Sequence, residues 1–179
     1  PKMFFNKKLK NFRLSNIDQK IKLLDNLKVD FVITKKFDNK FSKTKALNFI
    51  SQILNKKLSS KFIFVSNNFR FGNKREGNVN LLKKYEQLFD YKVIKPEPLI
   101  KSKKIVSSSL IRNLLEKGLL NKANNLLNRN WTIQGVVKKG RQVGKKIGFP
   151  TCNIEIGDYV LAKPGVYAVK VLRKNSKKY

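Results

Sequence analysis

Hydrophobic residues in the first part of the chain follow two different spacings. Spacings of three and four residues predict amphipathic helices over Ile17–Leu27, Ala46–Leu54 and Val79–Phe89. β-Branched and aromatic runs of strand length follow these helices or lie between them, at Val29–Thr34, Phe62–Val65 and Tyr91–Ile94. Strands that alternate with helices predict an α/β fold, with right-handed βαβ units on a parallel sheet. Because Phe62–Val65 is apolar at every position, we expect this strand to be buried on both faces.

The pattern changes after residue 106. Two short helices are predicted at Ser109–Lys117 and Asn121–Leu127, and Gly118 between them suits a left-handed helix cap. Beyond Arg129, the segments Trp131–Val137 and Gly165–Val171 alternate in polarity and show no helical spacing. This pattern is typical of a β-barrel or sandwich, and it predicts two domains, at residues 1–127 and 128–179.

Composition removes several classes of function. The 179 residues include no histidine, which excludes catalysis by Ser-His-Asp or Cys-His groups within this chain. The single cysteine, Cys152, excludes a disulfide framework and a Cys/His zinc site. No apolar run has the length of a membrane span, and the first residues lack the apolar core of a signal peptide. We therefore expect a cytoplasmic protein with no membrane partner.

The formal net charge is +30, from 41 Lys and Arg against 11 Asp and Glu. A dedicated polynucleotide surface would gather basic and aromatic residues on one element and use arginine heavily. Here lysine pairs are spread along the whole chain, so the charge favours solvated faces and no specific nucleic-acid partner is expected. A basic nucleic-acid-binding protein remains the alternative, because such a field attracts any polyphosphate.

Three segments carry candidate chemistry. Val65–Gly72 leads from an apolar strand into a polar turn, where ligands meet parallel sheets, although an ordinary βα loop looks the same. Val106–Arg112 places three serines at a helix start with Arg112 one turn later, which suits phosphate, although one serine would serve as a helix cap in any protein. Gly140–Asn153 combines glycines, cations and the oxygen donors Thr151 and Asn153, which suit Mg²⁺ or phosphate; its alternative is a glycine-rich β-turn.

In this order, the three segments resemble the prokaryotic bifunctional riboflavin kinase/FMN adenylyltransferase family, also called FAD synthetase. Val106–Arg112 is similar to the family's Ser-Ser-Thr-x-x-Arg motif, and Phe149–Asn153 to its Pro-Thr-Ala-Asn motif. Asn67–Gly72 resembles the family's Gly-x-Asp-Phe-x-Phe-Gly loop. The resemblance implies a Rossmann-like nucleotidyltransferase domain with a parallel sheet, followed by the start of a riboflavin-kinase β-barrel. It also implies phosphorylation of riboflavin to FMN and adenylylation of FMN to FAD, with ATP and Mg²⁺.

The same resemblance implies the site residues. ATP phosphates of the adenylyltransferase are expected at Ser107, Ser108, Ser109 and Arg112. A flavin or nucleotide loop is expected at Asn68, Phe69, Arg70, Phe71 and Gly72. Kinase ATP is expected at Gly140, Gly144, Lys145, Gly148, Thr151 and Asn153, with Thr151 and Asn153 also serving Mg²⁺.

Departures from the family pattern limit these expectations. The family's His-x-Gly-His signature is absent, and Glu155 and Asp158 lie too close to Thr151 to be its kinase base, so no catalytic residue is assigned. A chain that starts at Pro1 and lacks both groups is expected to be a fragment, inactive in both reactions. Asn68 replaces the usual Asp, so a degenerate homologue that binds without catalysis is a second alternative. Cys152 replaces an Ala and is expected to be a buried, unreactive thiol.

Overall fold

The computed structural model describes residues 2–140 and 146–172. The chain divides into two compact units. The N-terminal unit is formed by Pro1–Lys10 and Ile17–Ser107, and the C-terminal unit by Asn11–Asn16 and Ser108–Tyr179. Within the described ranges, no helix is both long and apolar enough to cross a membrane.

Helices of the N-terminal unit are short, and two of them begin at side chains that accept a backbone N–H. Asp38 precedes the helix Asn39–Ser42 and its carboxylate accepts the N–H of Phe41 at 2.7 Å. The amide oxygen of Asn78 accepts the N–H of Leu81 at 2.9 Å at the start of the helix Val79–Lys84. The helices are α1 (Lys2–Phe5), α2 (Ile17–Asn26), α3 (Asn39–Ser42), α4 (Ala46–Asn48), which continues as a π-helix over Phe49–Lys57, α5 (Val79–Lys84) and α6 (Glu86–Phe89). The predicted helices at Ile17–Leu27 and Ala46–Leu54 are thus confirmed, whereas the third is interrupted at Tyr85.

The strands of this unit form two-stranded sheets. β1 (Phe62–Phe64) pairs in parallel with β4 (Lys92–Ile94), with Ile63 opposite Val93. This pairing confirms the predicted parallel sheet. The antiparallel pairs are β2 (Arg70–Phe71) with β3 (Gly77–Asn78), and β5 (Ile100–Lys101) with β6 (Lys104–Ile105).

The core of the N-terminal unit lies between the π-helix, α5 and the β1–β4 pair. Ile50 and Leu82 are fully buried there, beside Ile63 and Val93. Tyr91 is also buried, and its hydroxyl donates to the carbonyl oxygen of Leu82 at 2.6 Å. Burial raises the pKa of Tyr91 to about 12, and the charge of Glu86 adds to the effect. The phenol therefore stays protonated inside the core, and its hydroxyl group has a hydrogen-bond partner there.

Two expectations for this unit are wrong. Val29–Thr34 forms no strand, and Phe31 is 86% exposed, because no described segment lies alongside to pair with the backbone of this run. Phe62 and Phe64 are more than half exposed, because only the face of β1 that carries Ile63 packs on helices. The apolar run therefore predicted the strand β1 correctly, but it did not predict that only one face of this strand is buried.

From Ser108 onward, the C-terminal unit first forms two helices, α7 (Ser108–Glu116) and α8 (Leu120–Leu127). They pack through Ile111, Leu115 and Ala123, with Val160 completing a small core. Gly118 lies between them with φ +75°, which confirms the predicted left-handed cap.

The rest of this unit shows β7 (Val136–Lys138) paired antiparallel with β8 (Asn153–Glu155). Neither Trp131–Gly135 nor Gly165–Val171 is a strand. A closed barrel needs two neighbours for each strand, and the described residues of this unit supply one pair. The structure therefore shows a mixed α/β fold with a small parallel sheet, and the described residues form no barrel.

Candidate functional site

The first predicted site is the turn after β1, where some of the predicted ligand residues are buried and others are exposed. Phe71 is 8% exposed and packs in the core, 5.3 Å from Phe49 between ring centroids. Phe69 is stacked on Phe71 at 5.5 Å. Asn68 and Arg70 are exposed, and the Oδ1 of Asn68 accepts the Ser66 hydroxyl at 3.2 Å. Asn68 and Arg70 are therefore the side chains here that solvent and a ligand can reach.

Gly72 fastens this turn to the start of α4. Its φ is +74°, and a Cβ there would lie 2.8 Å from the backbone of Ala46. The N–H of Asn73 donates to the carbonyl oxygen of Thr44 at 2.7 Å, and the Glu76 carboxylate accepts the N–H of Ala46 at 2.6 Å. Gly72 thus has a packing role that its place in the motif did not indicate.

The second predicted site lies at the start of α7. Ser108 is the first helical residue, Ser107 precedes it, and all three serines are exposed. A helix start presents free N–H groups and about half a positive charge, which favours an anion. Arg112 follows one turn later.

Arg112 is half-buried and held by Phe12. Its Nε donates to the Phe12 carbonyl oxygen at 2.8 Å, and its Cζ lies 3.6 Å from the centre of the Phe12 ring. Burial lowers the pKa of Arg112, and the charge of Glu116 opposes that change. Sequence reasoning missed Phe12, because it lies far from Arg112 along the chain and no motif links them.

The third predicted site surrounds an open cavity of about 380 Å³ at the end of the β7–β8 hairpin. We call it the hairpin cavity. The structure brings Gly140, Thr151 and Asn153 together in its wall. Gly148 has φ +82° and is not part of the wall, and Gly144 and Lys145 lie outside the described residues. Among the described residues, the wall also includes Val137, Lys138, Lys139 and Pro150.

Two lysines add positive charge to the hairpin cavity. Lys138 Nζ lies 3.2 Å from a carboxylate oxygen of Glu155, with both side chains well exposed. Lys139 adjoins Gly140, so the cavity wall carries cations beside oxygen donors. The predicted site residues did not include Lys138 and Lys139, although their place directly before Gly140 in the sequence could have indicated them.

Gly140 leaves room for the side chain of Asn153. A Cβ at this position would lie 2.1 Å from Asn153 Nδ2, so the amide group occupies the space that any larger residue would fill. Cys152, expected to be buried, is exposed. Cys152 directly precedes β8, whose residues are all exposed because this strand pairs with β7 alone among the described strands.

Comparison with known proteins decides the family. A family model described as FAD synthetase matches residues 1–110. The chain belongs to the FAD synthetase family. A second model, described as riboflavin kinase, matches residues 127–179 of this FAD synthetase homologue.

Three curated relatives of this family member share the name bifunctional riboflavin kinase/FMN adenylyltransferase. The protein from Buchnera aphidicola of Schizaphis graminum is 39% identical over the whole chain, which covers 58% of that relative. The Haemophilus influenzae protein is 38% identical over 98% of the chain and 57% of its own length. The Escherichia coli K12 protein is 36% identical over 89% of the chain and 51% of its own length. The chain therefore spans between half and three fifths of these relatives.

A solved structure shares the fold of this FAD synthetase homologue. It is titled a macrolide-efflux protein from Streptococcus pneumoniae, and it superposes with a TM-score of 0.72 at 26% identity. The match covers 86% of this chain and 49% of the other. That name describes the other protein, and the likeness adds support for the fold.

Proposed function

We propose that the protein containing this chain makes FAD in two ATP-dependent steps. It would phosphorylate riboflavin to FMN, and then transfer an adenylyl group to FMN with release of pyrophosphate. One observation carries the proposal: Gly140, Thr151 and Asn153 meet at one cavity, within the segment that the riboflavin kinase model matches. The names of the curated relatives support both activities.

For adenylyl transfer, we assign the start of α7 to ATP phosphates. The free N–H groups of the helix and the Ser108 and Ser109 hydroxyls would donate to phosphate oxygens, while Arg112 offsets their charge. Nucleotidyl transfer depends mainly on positioning and on stabilising charge as it develops. A half-buried arginine is well suited to this role, because it is shielded from competing water.

For phosphorylation of riboflavin, we assign the hairpin cavity to ATP. Lys138 and Lys139 would offset phosphate charge, and Gly140 allows the Asn153 amide to lie against the backbone. The Thr151 hydroxyl and the Asn153 amide oxygen would orient the nucleotide.

Thr151 and Asn153 could hold Mg²⁺ only together with the phosphates of a bound nucleotide. The described residues contain no group of three or more His, Cys, Asp or Glu side chains that could hold a metal. Thr151 and Asn153 supply hard, neutral oxygen atoms, which suit an ion that is bound mainly by nucleotide phosphates. When bound, Mg²⁺ would neutralise phosphate charge and help to orient the transferred group.

The finer structural assignments belong to the same proposal. We infer a Rossmann-like nucleotidyltransferase domain over residues 1–127 and the start of a riboflavin-kinase β-barrel over 128–179. The flavin loop at Asn68–Gly72 and a cytoplasmic location also stay predictions.

Calorimetry with Mg-ATP on the 179-residue chain tests the binding half of the proposal. Thr151→Ala should remove the site at the hairpin cavity, Arg112→Ala should weaken the site at α7, and the double variant should keep only the weakened binding at α7. Thr132→Ala, on the exposed surface outside the cavity, is the matched control. Mg-ATP binding that neither Thr151→Ala nor Arg112→Ala alters would contradict the proposal.

Turnover is tested on the full-length gene product, with riboflavin and ATP and then with FMN and ATP. Chromatography should detect FMN in the first case and FAD in the second. Tight RNA binding with a steep salt dependence, without either product, would favour the nucleic-acid alternative instead.

A further inference from the structure

The guanidinium of Arg112 is fixed by a single distant residue. The Nε–H donates to the backbone carbonyl of Phe12 at 2.8 Å, and the Phe12 ring covers one face of the guanidinium at 3.6 Å. One donor and one face of the planar group are therefore occupied by Phe12. Among the described residues, the two terminal amino groups of Arg112 donate no hydrogen bond to the protein. These amino groups form the edge that can meet a phosphate in two parallel hydrogen bonds.

Phe12 is itself held by the residues that follow it. The N–H of Arg13 donates to the Asp158 carbonyl oxygen at 2.8 Å, and the N–H of Val160 donates to the Arg13 carbonyl oxygen at 2.9 Å. The Trp131 indole N–H donates to the Leu14 carbonyl oxygen at 3.0 Å. Val160 lies in the core on which α7 packs. The backbone beside Phe12 is thus joined to the same core as the helix that carries Arg112.

Held at two points, Arg112 has fewer side-chain conformations to lose when an anion binds. A free arginine on a helix surface samples many rotamers, and ordering it opposes binding. Stacking on an aromatic ring restricts the guanidinium plane while leaving its charge available.

We propose that Phe12 is a positioning residue that orients Arg112 toward the triphosphate of ATP at the start of α7. The inference rests on the proposed function of Arg112 in ATP binding. Phe12 acts through Arg112 and is not assigned a contact with the nucleotide.

The test is the Kd of Mg-ATP, measured by calorimetry in the Thr151→Ala background so that binding at the hairpin cavity does not contribute. Phe12→Leu keeps the carbonyl and removes the ring, and it should weaken binding about three- to tenfold, the range of a partly buried cation–π contact. Phe12→Tyr keeps a ring and should restore affinity to within about twofold of the parent. Phe31→Leu, at an exposed phenylalanine of the N-terminal unit, is the matched control and should have no effect.

A double-variant cycle separates positioning from general destabilisation. In an Arg112→Ala background, Phe12→Leu should cause no further loss of affinity, because its effect passes through the arginine. If Phe12→Leu lowers the thermal midpoint, Phe12→Met, which keeps the apolar volume, replaces it in the cycle.

The outcomes distinguish this inference from the function on which it rests. If Arg112→Ala leaves the Kd unchanged, the assigned role of Arg112 fails and the inference fails with it. If Arg112→Ala weakens binding but Phe12→Leu and Phe12→Met do not, only the inference is overturned. Equal losses from Phe12→Leu with and without Arg112 would also overturn it.

Discussion

Gly72 follows β2 and Gly140 follows β7, but the two glycines have opposite surroundings. In the N-terminal unit, a Cβ on Gly72 would collide with the backbone of Ala46, and neighbouring hydrogen bonds fix the turn to α4. In the C-terminal unit, a Cβ on Gly140 would meet the far end of the Asn153 side chain, beside an open cavity. The first glycine permits packing, and the second leaves room for a side chain in a candidate ligand site.

The comparison shows that the neighbour of a glycine matters more than its motif. Backbone cannot move without disturbing a helix, so substitution of Gly72 should change stability. An amide side chain can rotate away, so substitution of Gly140 should change binding while leaving the fold intact.

The largest expected effect is that of Gly72→Ala, which tests whether Gly72 is required for packing. A left-handed φ combined with a backbone clash should lower the free energy of unfolding by about 3 kcal/mol. Gly157→Ala is the control, because Gly157 has φ +58° but no heavy atom near its Cβ position, and it should cost about 1 kcal/mol. Denaturant unfolding followed by circular dichroism measures both. Equal losses in the two variants would contradict the packing role of Gly72.

A second prediction tests the core that adjoins Gly72, through Tyr91. The pKa of Tyr91 is raised to about 12, above its unfolded value of about 10, because burial favours the protonated phenol. The resulting stability is fully present below pH 10 and is lost as the pH rises through 12. Its size is about 2–3 kcal/mol. Unfolding midpoints measured from pH 9 to 12 should therefore fall less steeply in Tyr91→Phe than in the parent. Parallel curves for the two proteins would contradict this.

Gly140→Ala should have a smaller effect, and on binding alone. The new methyl group displaces the Asn153 amide, so Mg-ATP affinity at the hairpin cavity should fall about three- to tenfold, the loss of one hydrogen bond. The free energy of unfolding should change by less than about 0.5 kcal/mol. Arg112→Ala is the background for calorimetry, and Gly157→Ala is again the control. If Gly140→Ala lowers the free energy of unfolding but leaves the affinity for Mg-ATP unchanged, Gly140 has a packing role like that of Gly72.

The smallest effect is expected at the ion pair beside the cavity. Glu155→Gln removes the partner of Lys138, and an exposed pair of this kind contributes less than about 0.5 kcal/mol to stability. The released cation should strengthen Mg-ATP binding about twofold at low salt, and the gain should disappear near 1 M salt. Weaker binding at low salt would show that Glu155 serves the ligand directly.

Several elements were predictable because local pattern and packing agree. α7 and α8 follow their apolar spacing and bury Ile111, Leu115 and Ala123, and the continuous run at β1 forms the expected parallel pair with β4. Val29–Thr34 has equal β propensity but no partner, and strand formation depends on a partner.

The candidate site was predictable to a similar degree. Thr151 and Asn153 were chosen with Gly140 from spacing, and the structure brings them to one cavity. Spacing could not show that Phe71 is in the core while Arg70 faces solvent, since both belong to one motif. It also could not reveal Phe12, because its contact with Arg112 depends on tertiary structure.

Asn11–Asn16 belongs to the C-terminal unit although segments of the N-terminal unit flank it in the sequence. Recombination between related genes near the codon for Ser107 would therefore create a hybrid whose residues 11–16 and whose downstream half come from different parents. The hybrid would have to reconcile Arg13 with Asp158, and Ser15 with Arg129, across two ancestries. Natural exchange of the downstream half should succeed only between parents that agree in these few early codons.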